Sequence, residues 1–170
     1  DQRENWGIVD EDTVQITVQK GDYSIDSNGW RNTTRNLFLT DVENADFSVS
    51  VKLEFQPDQN YESAGLVIHG GEFANIVFAR RFHTWFFNPT VSAFGIDGDT
   101  FRETAAADPI ENQGPIWLKI TKTGSVLQFY TSADGVEWVL HEDTRNENVI
   151  TELEWASFAD LTAEDLQVGI

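Results

Sequence analysis

The segment IWLKITKTGSVLQFYTSADGVEWVLH, residues 116–141, decides the fold class. It contains three runs of β-branched, aromatic and aliphatic residues, Ile116–Thr121, Val126–Thr131 and Val136–His141. Between the runs lie Lys122–Ser125 and Ser132–Gly135, whose glycine, serine and aspartate residues are typical of tight turns. This pattern predicts an antiparallel meander of three strands.

Other parts of the chain carry the same signature. Val14–Val18 alternates apolar and polar residues, and Phe47–Phe55 does so over its whole length. Strict alternation puts every apolar side chain on one face of a half-buried strand. No segment keeps the apolar period of an α-helix over several turns. Further strands are predicted at Asn36–Thr40, Ala64–His69, Asn75–Arg80, Trp85–Phe87, Val91–Ile96 and Leu166–Ile170.

Two polar stretches are predicted as loops. Asp26–Thr34 has the composition of a surface loop that carries one exposed tryptophan, Trp30, and Ala105–Gly114 that of a second loop. Asp97–Asp99, with a central glycine, predicts a turn. Strands this numerous, mostly with one polar face, need two sheets packed face to face. We therefore predict an all-β fold, a two-sheet antiparallel β-sandwich of jelly-roll type, in one domain over residues 1–170.

The composition of the chain excludes several classes of function. The chain has 170 residues, of which 40% are apolar, enough for one hydrophobic core. Eleven Lys and Arg residues against 29 Asp and Glu leave a net charge of −18, which repels nucleic acids and anionic lipids. The absence of cysteine excludes disulfides, thiolate metal sites and a cysteine nucleophile. An acidic, lysine-poor surface suits a protein that works outside the cell or in high salt, and we expect a secreted, extracellular protein.

Five blocks of sequence occur together in one order. They are Asn36–Leu39, Ala45–Val49, Tyr61–Ile68, Trp117–Ile120 and Tyr130–Trp138. The motifs Tyr-x-x-Ala-Gly-Leu and Ser-Ala-Asp-Gly-x-x-Trp within them are specific in combination. Over about residues 36–170 the chain resembles the concanavalin A-like β-sandwich domain appended to bacterial β-xylosidases, α-L-arabinofuranosidases and other carbohydrate-active enzymes. The resemblance implies a domain excised from a larger modular protein, with a catalytic domain of the same polypeptide as its partner.

Catalytic residues are not evident. A retaining glycoside hydrolase needs two carboxylates about 5–5.5 Å apart across the scissile bond. The glucanases related to this family use Glu-x-Asp-x-x-Glu, and Glu152–Glu154 lacks the central aspartate and the third glutamate. The histidines, His69, His83 and His141, are scattered and none adjoins a nucleophile motif. We predict that the domain is not an enzyme.

Calcium is a separate question, because it binds carboxylate and carbonyl oxygens. Asp10–Asp12, Asp97–Asp99 and Glu142–Asp143 supply such oxygens, and solvated turns are the alternative interpretation of the same residues. No cofactor is required, and a structural calcium ion assembled from separate segments stays open.

A sugar-binding surface combines aromatic rings that stack on C–H faces with polar groups that bind hydroxyls. Arg80 and Arg81 are adjacent in a chain with few basic residues, and Trp85 follows closely. Alternation puts one arginine on the outer face of its sheet and the other near the core edge. In one interpretation an arginine and His69 bind hydroxyls or a uronate while Trp85 stacks on a ring. In the other, both arginines pair with carboxylates.

Two more residues complete the candidate ligand-binding set. Glu62 precedes the Ala-Gly-Leu block, where the resemblance implies polar side chains on a concave face; an edge-strand charge is the alternative. Trp30 is either a stacking platform or a lid on the sandwich. We expect Trp117 and Trp138 to be core or partly buried residues, because they lie in regular strands. The candidate ligand-binding residues are Glu62, His69, Arg80, Arg81, Trp85 and Trp30.

Two functions from different classes fit this sequence. The first is a non-catalytic carbohydrate-binding module that targets a secreted glycoside hydrolase to a polysaccharide or oligosaccharide. The alternative is a structural accessory sandwich that packs against the catalytic domain without binding sugar. A binding module keeps its exposed aromatic residues on a water-facing surface with polar groups, whereas a packing domain spreads them over an apolar patch. An intrinsic glycosidase or lyase ranks last.

Overall fold

The computed structural model describes residues 6–17, 23–26, 29–32, 37–71, 73–82, 90–109, 111, 114–142 and 153–170. Within these ranges the chain forms antiparallel sheets and two short 3₁₀ turns, Ala156–Phe158 and Ala163–Asp165, and it contains no α-helix. No helical segment in the described ranges has the length and apolar character needed to cross a membrane. The all-β prediction is confirmed.

The strands are numbered along the chain. They are β1 (Trp6–Asp10), β2 (Thr13–Ile16), β3 (Tyr23–Asp26), β4 (Gly29–Asn32), β5 (Leu39–Asp41), β6 (Phe47–Leu53), β7 (Ser63–His69), β8 (Ala74–Arg81), β9 (Thr90–Asp97), β10 (Thr100–Ala107), β11 (Ile116–Thr123), β12 (Val126–Ser132), β13 (Val139–Leu140), β14 (Leu153–Glu154) and β15 (Gln167–Gly169). The larger sheet has the order β10-β9-β8-β7-β15-β5. The smaller sheet has the order β13-β12-β11-β6, with β14 also paired to β12. In the described residues, neither the β1–β2 ribbon nor the β3–β4 ribbon is paired with a strand of these two sheets.

The hydrophobic core lies between the two sheets. Alternate residues of β7, β8 and β9 face alternate residues of β11 and β12, as the period of two requires. Each fully buried aliphatic or aromatic side chain contributes about 1.5–3 kcal/mol through removal of apolar surface from water. The buried members include Leu66, Ile68, Ile76, Phe78, Val91, Ala93, Ile116, Leu118, Ile120, Leu127, Phe129, Trp155 and Phe158.

Gly65, the glycine of the Tyr-x-x-Ala-Gly-Leu motif, lies against the neighbouring strand. A Cβ atom at this position would collide with the carbonyl oxygen of Phe78 and the Cα atom of Ala79 on β8. Because these are backbone atoms, no side-chain rotation could relieve the collision. The motif therefore requires glycine so that β7 and β8 can pair closely.

Three predicted segments are corrected by the structure. Asp26–Thr34, predicted as a loop, contains strand β4 of the β3–β4 ribbon. The second predicted loop begins inside β10, whose alanines pair with β9. Alanine has a low strand propensity, but hydrogen bonding to the buried strand β9 outweighs that propensity. Val136–His141 is reduced to the short β13. The predicted strand Trp85–Phe87 lies outside the described residues.

The two outer faces differ in exposure. On the larger sheet, Val67, Val77, Ala79 and Phe94 form a second buried cluster, and β3 lies beside β9. On the smaller sheet, the outward-pointing residues of β6 are exposed and those of β11 and β12 are mostly half-buried. Among the residues that the structure describes, the open sheet face is therefore that of β6, β11 and β12.

Candidate functional site

The adjacent arginines point to opposite faces of β8, as alternation predicts. Arg80 points inward and is fully buried. Its Nε lies 2.6 Å from Oδ2 of Asp108, and its Nη1 donates to the carbonyl oxygens of Phe55 (3.0 Å) and Gly114 (2.8 Å). The guanidinium holds three segments together at one end of the sandwich. Arg80 thus pairs with a carboxylate, as the alternative interpretation has it, and a ligand role for Arg80 stays a prediction.

Arg81 points to the outer face of the larger sheet. Its Nη1 lies 2.7 Å from Oε1 of Glu103, and its guanidinium lies 4.5 Å from the centre of the Phe94 ring. Only 8% of the residue is exposed. The structure thus matches the interpretation in which the arginine pairs with a carboxylate, and a ligand role for Arg81 stays a prediction.

Glu62 immediately precedes β7 and His69 ends it, so the two residues are about 23 Å apart at the usual strand rise. Oε2 of Glu62 accepts the backbone N–H groups of Asp58 (3.0 Å) and Gln59 (3.1 Å), which closes the turn before β7. Nδ1 of His69 is hydrogen-bonded to Oδ1 of Asn75, and the histidine is half-buried. These two predicted residues do not share a site.

The remaining two predicted residues are placed only in part. Trp30 lies on β4, where its backbone pairs with that of Ile25 on β3. Trp85 lies outside the described residues. Ligand roles for both tryptophans stay predictions.

A different set of residues forms a built surface on the open face of the smaller sheet. Lys119 on β11 is the cross-strand partner of Tyr130 on β12. The Nζ atom of Lys119 lies 4.6 Å from the centre of the Tyr130 ring and 4.0 Å from that of Trp138. Both distances are those of cation–π contacts. Trp117, two residues before Lys119, points to the same face. We call Trp117, Lys119, Tyr130 and Trp138 the aromatic face; all four are half-buried.

The turn after β12 shapes this face. Oδ1 of Asp134 accepts the backbone N–H groups of Val136 (2.8 Å) and Glu137 (2.9 Å), and the Ser132 hydroxyl donates to it (3.0 Å). Hydrogen bonds from Val136, Glu137 and Ser132, in that order of size, hold the pKa of Asp134 below its ordinary value. Because the carboxylate takes up the two N–H groups, the strand predicted to begin at Val136 starts only at β13. The turn is followed by Trp138, whose ring lies against Nζ of Lys119.

Gly135 has two reasons to be glycine. Its φ is +78°, in the left-handed region. A Cβ atom there would also lie 2.8 Å from Cε2 of the Trp117 indole. The Ser-Ala-Asp-Gly-x-x-Trp motif therefore packs its turn on one tryptophan and positions another.

Polar residues and a cavity border the aromatic face. Ser48, Ser50 and Lys52 on β6 point outward and are exposed, and Lys52 is the cross-strand partner of Trp117. Nζ of Lys52 lies 3.1 Å from Oε1 of Glu54. Beyond this pair lies a cavity of about 340 Å³. Its lining residues are Glu54, Phe55, Gln56, Gly114 and Pro115.

Sequence reasoning missed this face because it grouped Trp117 with its apolar neighbours. Leu118 and Ile120 are buried in the core, so Trp117 and Lys119 must point the other way on a regular strand. That parity is present in the sequence and could have identified the outward pair. The sequence predicts that Trp117 and Trp138 are core or partly buried residues. The structure shows both as partly buried and outside the core.

The described residues contain no group of three or more metal-ligating side chains. Within one of the predicted calcium loops, Oδ2 of Asp97 lies 2.7 Å from Nε of Arg102, and Oδ1 accepts the N–H of Ser157 (2.8 Å). The arginine occupies one oxygen of this carboxylate. Structural calcium stays a prediction.

Comparison with known proteins places this geometry in a family. Residues 1–158 match the family model of the beta xylosidase C-terminal concanavalin A-like domain. The GH43 protein BlXynB of Bacillus licheniformis, solved as a point mutant, is similar at 19% identity and a TM-score of 0.63, over 81% of this chain and 25% of that one. The xylan beta-1,4-xylosidase of Bacillus halodurans is similar at 18% identity and a TM-score of 0.62, over 86% of this chain and 28% of that one.

A functionally unknown protein from Saccharomyces cerevisiae is similar at 14% identity and a TM-score of 0.69, over 98% of this chain and 85% of that one. No protein of curated function matches the chain. The chain spans about a quarter of the length of the two bacterial proteins, and at these identities the likeness shows a shared fold. The family match confirms the resemblance carried by the two sequence motifs. The chain belongs to the family of β-xylosidase C-terminal concanavalin A-like domains.

Proposed function

We propose that this chain is a non-catalytic carbohydrate-binding module of a secreted glycoside hydrolase, and that the aromatic face is its sugar-binding surface. The observation that carries the proposal is the contact of Lys119 with the rings of Tyr130 and Trp138 on a sheet face that Trp117 shares. Their rings can stack on the C–H faces of sugar residues, and neighbouring polar groups can bind hydroxyls.

The polar surroundings of the aromatic face favour sugar binding over protein packing. Exposed Ser48, Ser50 and Lys52 lie on one side of it. On the other side, the hydroxyl of Tyr130 donates to Oε1 of Gln128 (3.1 Å), which orients the phenol. A surface that packs against another domain is typically a continuous apolar patch. Rings interleaved with hydroxyl, amide and ammonium groups are instead suited to a ligand that has both apolar faces and hydroxyls.

A separate surface favours the second candidate function, an accessory domain that packs against the catalytic domain. Phe73 is 58% exposed and Phe101 is 44% exposed. The carbonyl oxygen of Phe73 accepts the N–H of Gly98 (2.8 Å), so the turn of β7–β8 adjoins the turn of β9–β10 that precedes Phe101. Two exposed rings at one end of the larger sheet suit contact with a neighbouring domain. The two functions use different surfaces and are compatible.

The proposal that the domain is not catalytic is supported by the state of its buried carboxylates. The Asp97 side chain is 3% exposed and pairs with Arg102. The Asp108 side chain is fully buried and pairs with Arg80. Each of these carboxylates is thus held in an ion pair, whereas a retaining glycosidase needs two carboxylates that flank the scissile bond. The isolated domain is expected to release no sugar from xylan, arabinan or β-glucan.

The proposed function is tested by affinity gels and calorimetry of the folded chain against xylans, arabinans, β-glucans, fructans and pectins. We expect binding to at least one polymer and a roughly tenfold or greater loss of affinity in Trp138→Ala, as for a central aromatic contact. Phe101→Ala is the matched control, because it removes an exposed ring from the other sheet and should leave affinity unchanged.

Two results would overturn this assignment. No binding across the whole panel by a folded domain would leave the accessory role. Binding that survives Trp138→Ala and Trp117→Ala but is lost in Trp85→Ala would move the site to the cluster predicted from sequence. Circular dichroism of each variant establishes that the fold is retained.

A further inference from the structure

Lys119 differs from the other basic side chains that the structure describes. Each of those has an acidic or carbonyl partner: Lys52 pairs with Glu54, Arg80 with Asp108, Arg81 with Glu103 and Arg102 with Asp97, and Lys122 donates to the carbonyl oxygen of Ala45. Within the described ranges, Nζ of Lys119 has no ion pair and no hydrogen bond, and it lies against the rings of Tyr130 and Trp138. The atom is not fully buried, so its N–H donors are open to a ligand.

The sheet face around Lys119 is basic, although the chain as a whole is strongly acidic. Of the 170 residues, 29 are Asp or Glu, and the net charge is −18. The outward positions of β6, β11 and β12 nevertheless hold two lysines and no carboxylate; they are Ser48, Ser50, Lys52, Trp117, Lys119, Thr121, Thr123, Val126, Gln128, Tyr130 and Ser132.

The described carboxylates at the border of this face leave the Lys119 ammonium unneutralised. Glu54 is paired with Lys52, and Asp134 accepts backbone N–H groups of its own turn. Glu137, which precedes Trp138, is exposed and forms no ion pair with Lys119. A positive charge held between two rings on an open face is therefore available to an anionic group of a ligand.

The strand register puts a hydroxyl beside this ammonium. Ser50 on β6 is the cross-strand partner of Lys119 on one side, and Tyr130 on β12 is its partner on the other. The Cβ atoms of such partners are about 4.5–5.5 Å apart. Ser50 is exposed. The ammonium and the hydroxyl can each donate to one oxygen of the same carboxylate, while a neighbouring ring stacks on the pyranose that carries it.

From this arrangement we infer that the glycan bound at the aromatic face carries uronic acid residues, and that Lys119 and Ser50 hold their carboxylate. Hydrogen bonds between charged groups are roughly twice as strong as those between neutral groups, so the ammonium favours a carboxylate over a hydroxyl. At about 0.15 M salt the screening length is about 8 Å, so distant carboxylates of the chain repel such a ligand only weakly. This inference rests on the proposed function, because it names the substrate class of the same surface.

Pairs of polymers that differ only in the carboxyl group give the direct test. Glucuronoxylan and polygalacturonate are each compared with the same polymer after chemical reduction of its carboxyl groups to primary alcohols. Calorimetry uses the whole chain at about 0.15 M salt. We expect at least one acidic polymer to bind roughly tenfold or more tightly than its reduced form. Equal affinity within each pair, or binding confined to neutral polymers, would overturn the inference and leave the proposed function intact.

Variants of Lys119 show whether the preference for acidic polymers arises at this residue. We expect Lys119→Gln to bind the acidic and reduced forms equally, and Lys119→Arg to keep the preference because it keeps the cation. Gln15→Glu is the matched control, because it changes the net charge by the same amount at an exposed position on β2 and should leave the preference unchanged.

Two outcomes of the variant experiment contradict the inference. If Lys119→Gln weakens binding of the acidic and reduced forms by the same factor, the lysine only supports the rings. If the preference survives in Lys119→Gln, the carboxylate is bound elsewhere. Both results refute the role of Lys119 in uronate recognition while sugar binding stands. Absence of binding to every polymer by the folded wild type would refute both proposals.

Discussion

Gly135 stands against the indole of Trp117, so that a Cβ atom at this glycine would lie 2.8 Å from Cε2 of the ring. Trp117 lies near the start of β11, and Gly135 lies in the turn after β12. They meet because Trp117 is the cross-strand partner of Ser132, where the turn begins. The turn motif therefore serves as a wall for one tryptophan of the aromatic face as well as a connection between strands.

Gly135→Ala should destabilise the domain more than Gly124→Ala. Both glycines have positive φ, +78° and +56°, so alanine at either position carries backbone strain of about 1–2 kcal/mol. Only Gly135 has a ring against it, since a Cβ at Gly124 would meet nothing within 4 Å. Urea denaturation of the two variants measures the difference in free energy of unfolding. Equal losses would show that the contact with Trp117 has no energetic weight.

Arg80→Gln should be strongly destabilising, by about 3–5 kcal/mol, because it leaves the buried carboxylate of Asp108 without its cation. Thermal and urea unfolding measure the loss. Lys52→Gln is the control: it breaks the exposed pair with Glu54 and should cost no more than about 1 kcal/mol. Similar losses in the two variants would contradict the structural role of Arg80.

The turn at Asp134 should weaken in acid. Its folded-state pKa lies below the ordinary value of 3.8, because backbone N–H groups of Val136 and Glu137 and the Ser132 hydroxyl bind the charged form. A carboxyl group whose pKa is lower in the folded state than in the unfolded state stabilises the fold at pH values above its unfolded-state pKa. This stabilisation is lost as the pH falls from the unfolded-state pKa through the folded-state pKa.

Asp134→Asn removes this titration while keeping an acceptor oxygen. The unfolding free energy of the wild type, followed from neutral pH to below 3.8, should therefore fall more steeply than that of Asp134→Asn. Asp165→Asn is a useful comparison, because the pKa of Asp165 is also lowered, by the backbone N–H and hydroxyl of Thr162. Parallel profiles for wild type and Asp134→Asn would show that Asp134 does not contribute.

Lys119→Gln should loosen the aromatic face without unfolding the domain. The ammonium contacts two rings, and each exposed cation–π contact contributes about 0.5–1 kcal/mol. Urea denaturation should record a small loss, and tryptophan fluorescence should change with it. Lys119→Arg keeps the cation and should restore both signals; failure of arginine to do so would argue against a cation–π role.

Much of the fold follows from local patterns. The alternation in residues 116–131, with a turn at Gly124, predicts β11 and β12, and both occur with nearly those bounds. The Asp97–Asp99 turn is found as the β9–β10 connection. Such features depend only on neighbours along the chain, and a period of two combined with turn residues is enough to specify them.

Other features depend on residues that are distant in sequence. Alternation requires Arg80 and Arg81 to point to opposite faces, but nothing in their order says which one meets Asp108 inside the sandwich and which meets Glu103 outside. The alanines of β10 have little strand propensity of their own, and their pairing with β9 decides their state.

By itself, the sequence determined the fold class, the strand order of the central meander, the family motifs and the acidic surface. Each of these depends only on composition or on patterns among residues that are close together in the sequence. Tertiary structure decided which sheet face is open, where Arg80 is buried, and that the rings of Tyr130 and Trp138 contact Lys119. The physical reason is that a side chain's role follows from what is packed against it. For Trp117 that neighbour is Gly135, and for Arg80 it is Asp108, each supplied by a different segment of the chain.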